Sequence, residues 1–268
     1  MESPIDFKKA WALVIRDIHN WTSYKSQVVT SIGSALIGVA SWGFLGTFNS
    51  APVPEYNTNY VSFLLSGVLL STVLLPASGV NSRFTPWTLE SILMTGINTP
   101  TYVLGSLGWG YTLSVVFFIP QLLVCLLLFP FHLSINIVSL LVSIPISAAM
   151  MLALGIISSG LRLVTKVTDP ITWFLGIAQN LLAGMTFPIE HLNSVYPNLS
   201  DVSWLLPQTW VYHIMRISIL EAGSLASLDI ALAFAEAAAY AAVLMFLSVR
   251  IFRWGLQRAK QEGTLGWS

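Results

Sequence analysis

Long uncharged stretches alternate with short charged gaps along this chain. Ser26 to Pro54, Tyr56 to Ser82, Ser91 to Leu161 and Pro170 to Ile189 contain no Asp, Glu, Lys or Arg. A hydrocarbon core about 30 Å thick is crossed by roughly 20 helical residues rising about 1.5 Å each. The run from Ser91 to Leu161 is long enough for two crossings and a turn. The pattern therefore predicts an all-α polytopic membrane protein with six transmembrane helices. They run from Gln27 to Phe48, Tyr60 to Val80, Tyr102 to Phe129, Ile137 to Leu161, Pro170 to Phe187 and Asp229 to Arg250. Pro76, Pro120 and Pro145 fall inside the second, third and fourth spans, and Pro76 is a predicted kink.

Three segments between the spans have patterns of their own. From Ser3 to Trp21 the apolar Phe7, Trp11, Val14, Ile15 and Ile18 form one helical stripe, while Lys8, Lys9, Arg16, Asp17 and His19 face away. Ser3 and Asp6 have capping-box spacing, and Pro4 suits the first helical position. This helix lies in the membrane interface or packs on other helices; the pattern allows both. Thr85, Pro86 and Gly96 bracket a second short helix with Trp87, Leu89, Glu90, Ile92, Leu93 and Met94 inside it. It has an apolar face that serves either as a dock for another protein or as a contact with the membrane surface. Pro188 to Asp229 is too apolar for a free loop and too interrupted by Pro188, Pro197 and Pro207 for a full span. Short helices buried against protein fit it best.

Charge then orients the chain. All but one of its 12 Lys and Arg residues fall on one side of the predicted bundle. The positive-inside rule makes that side cytoplasmic, with both termini there. The exception is Arg216. Composition agrees with a membrane protein: 55% hydrophobic, 9% charged, mean hydropathy +0.74. Net charge is zero, so no basic field calls for nucleic acid. Lone Cys125 rules out a disulfide framework. The segment before the first span, with Glu2, Asp6 and Asp17, lacks the form of a cleavable signal.

Candidate chemistry is sparse. No phosphate-binding GxxxxGK[ST], GxSxG or HExxH pattern occurs, so catalysis by this chain alone is not expected. His19, His132, His191 and His213 are too dispersed for a metal site. Glu236 is the one charge well inside a predicted span, roughly 10 Å past Asp229. An intramembrane carboxylate is a candidate polar site, and Arg216 or His213 is its expected partner. Ala231, Ala235, Ala238, Ala239 and Ala242 around it suit close helix packing. For Arg216 the expectation is a salt bridge with Glu190, Asp201 or Glu221, or else attraction of an anionic headgroup or substrate. Asn198-Leu199-Ser200 forms a glycosylation sequon.

Several pieces in a fixed order resemble the ABC-2 type permeases, the membrane subunits of ABC exporters. They are Thr88-Leu89-Glu90-Ser91-Ile92-Leu93 with Pro100 and Gly105; Asp169 opening the fifth span; Gly184-Met185-Thr186-Phe187-Pro188; and Leu206-Pro207 with Thr209 and Arg216. The resemblance covers nearly the whole chain. It implies a single transmembrane domain over 1–268, with an interfacial helix to 25, six spans over 26–250 and a cytoplasmic tail. It further implies a second permease subunit, identical or related, and two copies of a separate ATPase that carries ATP and Mg. Thr85, Pro86, Trp87, Leu89, Glu90 and Leu93 would couple to that ATPase. Phe187, Pro188, Pro207, Trp210 and Arg216 would form the outer gate, and spans 2 and 5 would line the subunit interface and the path. The implied function is outward movement of an amphipathic or hydrophobic cargo across a prokaryotic cell membrane. A polysaccharide or lipid-linked glycan is the competing cargo, and a stand-alone channel or secondary transporter the competing class.

Overall fold

The computed structural model describes residues 6–49, 51–78, 97–165, 176–178 and 180–261. Its long elements are helices: α1 (Phe7–Ser23), α2 (Lys25–Thr47), α3 (Tyr60–Ser78), α4 (Thr99–Leu128) and α5 (Ile137–Thr165). The short α6 (Leu192–Val195) and α7 (Leu199–Ser203) lead to α8 (Pro207–Ile219) and the long α9 (Leu228–Gln261). Strands β1 (Pro52–Val53) and β2 (Thr58–Asn59) make a small antiparallel hairpin between α2 and α3, pairing Pro52 with Asn59 and Val53 with Thr58. Asn57 takes the left-handed conformation that closes this turn. Four helices, α2, α4, α5 and α9, are long and apolar enough to cross a membrane, which makes this a helical multi-pass membrane protein.

These elements match the first, third, fourth and sixth predicted spans. The second corresponds to α3, whose apolar stretch Tyr60–Val73 is shorter. Pro120 and Pro145 sit inside α4 and α5 without ending either helix. The predicted fifth span and Asp169 lie largely outside the described residues; 176–178 and 180–181 are helical. The predicted helix from Thr85 to Gly96 lies wholly outside them, with Pro86, Trp87, Leu89, Glu90 and Leu93.

α1 packs on the chain through one edge of its apolar stripe, at Val14. The helix starts at Phe7, capped by the Asp6 carboxylate, which accepts from the Lys8 and Lys9 amides. The buried positions are Ala10, Val14 and Asp17, while Phe7, Trp11 and Ile15 are exposed. Contacts advance together along α1 and α4. The Asp6 amide donates to Thr101, Leu13 reaches Gly105, Val14 reaches Gly108, and Trp21 packs edge-on against Trp109 and Phe117. α1 therefore runs beside the first turns of α4. Ala10 facing Gly105 fixes the packed edge, because small residues let two backbones approach and bulky ones do not.

α3 sits at the centre. Every side chain from Val61 to Ser71 is buried within the chain, packed by α2, α4 and α5. A helix so enclosed presents no outer surface over those turns. α5 and α9 form the most extensive helix pairing among the described residues. They meet closely where Gly160 faces Gly255 and Phe252. At the hairpin end, the 129–136 turn is tied to α8 and α3. Ser134 and Asn136 amides donate to Ile219 and Ser218 carbonyls, and the His132 amide donates to Ser62.

Candidate functional site

The segment after residue 181 explains why the broken stretch is not a loop. Helix 180–181 ends in a turn at which Gly184 adopts φ +77, a left-handed conformation that glycine enters without strain. A side chain there would also press on Ile189, 2.9 Å from the would-be Cβ. The turn aims consecutive carbonyls inward. The Thr186 carbonyl accepts from the Tyr60 hydroxyl at 3.1 Å, and the Thr186 hydroxyl donates back to Asn180 at 2.8 Å. Pro188 and Ile189 are buried, whereas Phe187 is 52% exposed.

α8 supplies the other half. Pro207 begins the helix at a position where a missing amide costs nothing. Thr209 donates to the Ser203 carbonyl at 2.6 Å, and Trp210 Nε1 donates to the Trp204 carbonyl at 2.9 Å. Trp210 also stacks on Tyr240, whose hydroxyl reaches the Leu205 carbonyl. These bonds fasten α8 to α7 and α9.

Arg216 is only 1% exposed. Its guanidinium donates to the Gly184 carbonyl through Nη1, to the Met185 carbonyl at 2.8 Å and the Phe63 carbonyl at 3.2 Å through Nη2, and to Ser66 Oγ at 3.3 Å through Nε. Its Cζ lies 3.7 Å from the centre of the Phe63 ring, with Tyr212 and Tyr56 further out. Burying an ion costs several kcal/mol even after relaxation. Four charge-assisted bonds at roughly 1.5–3 kcal/mol each, plus a desolvated cation–π contact near 2 kcal/mol, offset that cost. Burial lowers the Arg216 pKa to about 10, so the side chain is charged at neutral pH.

The expected salt bridge of Arg216 with Glu190, Asp201 or Glu221 is thus replaced by backbone carbonyls and aromatic faces. Glu190 and Asp201 are exposed instead. With four of its five donors engaged and its surface covered, Arg216 is closed to an outside anion in this conformation. His213, one turn earlier, shares a 3.1 Å hydrogen bond with the Tyr56 hydroxyl. Burial first, then the Arg216 charge, pulls His213 down to about 4. Burial pushes Tyr56 well above its ordinary value.

Gly67 completes the arrangement. A Cβ there would run into the Met185 carbonyl and lie 2.7 Å from Arg216 Nη2. The sequence reading passed over Gly67, Ser66, Phe63, Tyr56 and Tyr212. Its one available signal was the small pair Ser66-Gly67 inside an otherwise bulky apolar run.

Glu236 is placed differently. It is exposed on α9 and joined neither to Arg216, whose bonds go elsewhere, nor to His213, which is bound to Tyr56. Its neighbours Ala235, Ala238, Ala239 and Ala242 are exposed too. Of the residues expected at an outer gate, Pro207, Trp210 and Arg216 share α8, Pro188 is buried after the Gly184 turn, and Phe187 is exposed. Among the described residues His, Cys, Asp and Glu form no metal-binding cluster. Searches for related proteins place no family on this chain: no family model and no curated protein matches it.

Proposed function

We propose that this chain is the permease subunit of an ABC exporter. Six spans would place both termini in the cytoplasm, and the hairpin end of the bundle would face outward. Two such subunits would move an amphipathic or hydrophobic cargo outward, driven by ATP hydrolysis on separate nucleotide-binding subunits. The observation that carries this reading is the Arg216 cage. Two separated pieces on which the resemblance rests, Gly184 to Pro188 and Arg216, meet directly, and a third, Leu206-Pro207 with Thr209, opens the helix that carries Arg216. A closed seal between α3 and the 184–189 turn is what an outer gate requires, because cargo leaving there must part those two elements.

A glycan cargo is the second reading. The aromatic group of Trp204, Trp210, His213 and Tyr240 at the same end favours it, because such rings stack on sugars. Reconstitution with the partner ATPase and a panel of amphipathic and glycan cargoes separates the two by which class stimulates hydrolysis. Failure of the purified chain to bind any ATPase, together with no nucleotide-dependent transport, overturns the exporter reading altogether. Glu90→Arg, at the proposed coupling surface, is expected to lower cargo-stimulated hydrolysis several-fold while membrane insertion is unchanged. Unaltered stimulation in that variant removes Glu90 from the coupling surface.

A further inference from the structure

The hairpin and α8 meet through an ionisable contact. Val53 and Tyr56, on the hairpin side, share a small buried apolar cluster with Phe63 of α3 and Leu220 at the end of α8. Beside that cluster the Tyr56 hydroxyl and His213 Nδ1 lie 3.1 Å apart, and the Trp204 indole stands edge-on to the imidazole. One turn further along α8, Arg216 Cζ lies 5.8 Å from the centre of the Tyr56 ring. Tyr56 therefore stands between the imidazole and the cage that closes α3 against the 184–189 turn.

The groups around the imidazole make it a poor place for a second positive charge. Arg216 faces it from its own helix, Tyr56 from the hairpin and Trp204 from the end of α7. Tyr212, the preceding residue, is buried, and Tyr240 of α9 gives its hydroxyl to the Leu205 carbonyl. Asp201 on α7 is exposed. The charges of Glu190 and Glu221 bear on Tyr56, and neither forms an ion pair with His213 among the described residues. A proton on the enclosed ring would thus set two cations one turn apart, shielded from water and with no carboxylate between them. Parting the hairpin from α8 gives the ring back to water and removes that penalty. The ring is only partly enclosed as it stands, so a proton needs no path through the bundle.

We infer that the outer gate takes up a proton from the outer medium as it opens, with the His213 imidazole as its acceptor and the Tyr56–His213 bond as the latch. The inference rests on the proposed outer gate at the hairpin end and adds its regulation. The proton binds the imidazole nitrogen that Tyr56 releases, and returns to the same medium when the latch closes, so none crosses the membrane. Acid outside therefore favours the open form. The enclosed ring protonates only near about 4, whereas a ring returned to water does so near its ordinary 6.5. Within that interval each step of one pH unit downward favours opening by roughly tenfold.

Hydrogen exchange of the full chain in lipid nanodiscs, read by peptide mass, detects rare opening once the intrinsic pH dependence of amide exchange is divided out. Segments 53–60, 184–189 and 213–220 are expected to open roughly tenfold more at about pH 5.5 than at about pH 7.5. The α5–α9 crossing at Gly160 and Gly255 is expected to keep its value. His213→Gln is expected to lose the rise. No rise in the wild-type chain, or an equal rise in His213→Gln, overturns the proton latch. Should His213→Gln fail to fold, Tyr56→Phe keeps the imidazole and deletes the bond. It is expected to open those segments more at about pH 7.5 than the wild-type chain does, and unchanged exchange there overturns the latch as well. ATP-driven transport with the partner ATPase is measured separately. Transport without the acid rise strikes the latch and leaves the exporter reading, whereas the acid rise without transport by any pairing strikes the exporter reading and leaves the proton-binding contact.

Discussion

Arg216 and Glu236 are the two charges that the sequence marks as misplaced, and the fold treats them in opposite ways. Arg216 is enclosed by backbone carbonyls, a serine and three aromatic rings. Glu236 lies exposed on the face of α9 among alanines. The first charge is satisfied inside one chain, so it holds that chain together. The second has no bond among the described residues, and its exposure leaves it open to the surroundings of α9. A charge count cannot tell these cases apart; the donors and acceptors around each can.

The most severe way to break the comparison is to empty the cage. Arg216→Met keeps much of the volume but leaves the Gly184 and Met185 carbonyls without the guanidinium, while the Phe63 carbonyl keeps the Ser66 hydroxyl. Each orphaned buried acceptor costs about 1–3 kcal/mol. The expected result is loss of most folded protein, read as a collapse of the monodisperse peak in detergent chromatography. Arg216→Lys keeps the charge but not the planar fork, and is expected to recover only part of that peak. Gly67→Ala comes next. Its methyl group must displace either the Met185 carbonyl or the guanidinium, a strain of about 1–3 kcal/mol. A thermal unfolding midpoint unchanged by Gly67→Ala would show that α3 and the 184–189 turn separate freely.

The same cage shows how far sequence could go. Span positions were legible because hydrocarbon demands long uncharged runs, and α2, α4, α5 and α9 obey that demand. Buried faces were less so. In α1 the apolar stripe suits either the membrane interface or packing on other helices; Ala10, Val14 and Asp17 pack on the chain where Gly105 allows close approach, and Phe7, Trp11 and Ile15 stay outward. The Arg216 partners were the least legible. A salt bridge has a counterpart with a letter in the sequence, whereas a carbonyl belongs to every residue. Only the conformation of Gly184 turns those carbonyls toward the guanidinium. The Pro52–Asn59 hairpin went unread for a similar reason, with two paired residues on each strand being too few to form a period.

Acid probes the rim of the cage more gently. The folded value of His213, about 4, lies below its ordinary 6.5, so the unfolded chain takes up the proton first. The His213 contribution to stability is therefore complete above about 6.5 and declines as pH falls toward 4. A protonated ring would sit buried beside the Arg216 charge. The unfolding midpoint of the wild-type protein should fall over that interval. His213→Gln, which can still hydrogen-bond the Tyr56 hydroxyl, should flatten the decline. An equal slope in the variant would assign the acid sensitivity to other groups.

Glu236 supplies the smallest expected effect on stability and the sharpest contrast. An exposed side chain with no bond among the described residues is worth within about 0.5 kcal/mol when replaced. Glu236→Gln removes the charge, keeps the shape, and should leave the unfolding midpoint of the isolated chain where it was. In a reconstituted complex with the proposed ATPase the same variant acts on a group open to the surroundings of α9, so a change in nucleotide-dependent transport with unchanged stability places its partner outside the chain. A midpoint that instead drops as far as that of Gly67→Ala would mean that Glu236 is held within the fold. The two charges would then differ in degree rather than in kind.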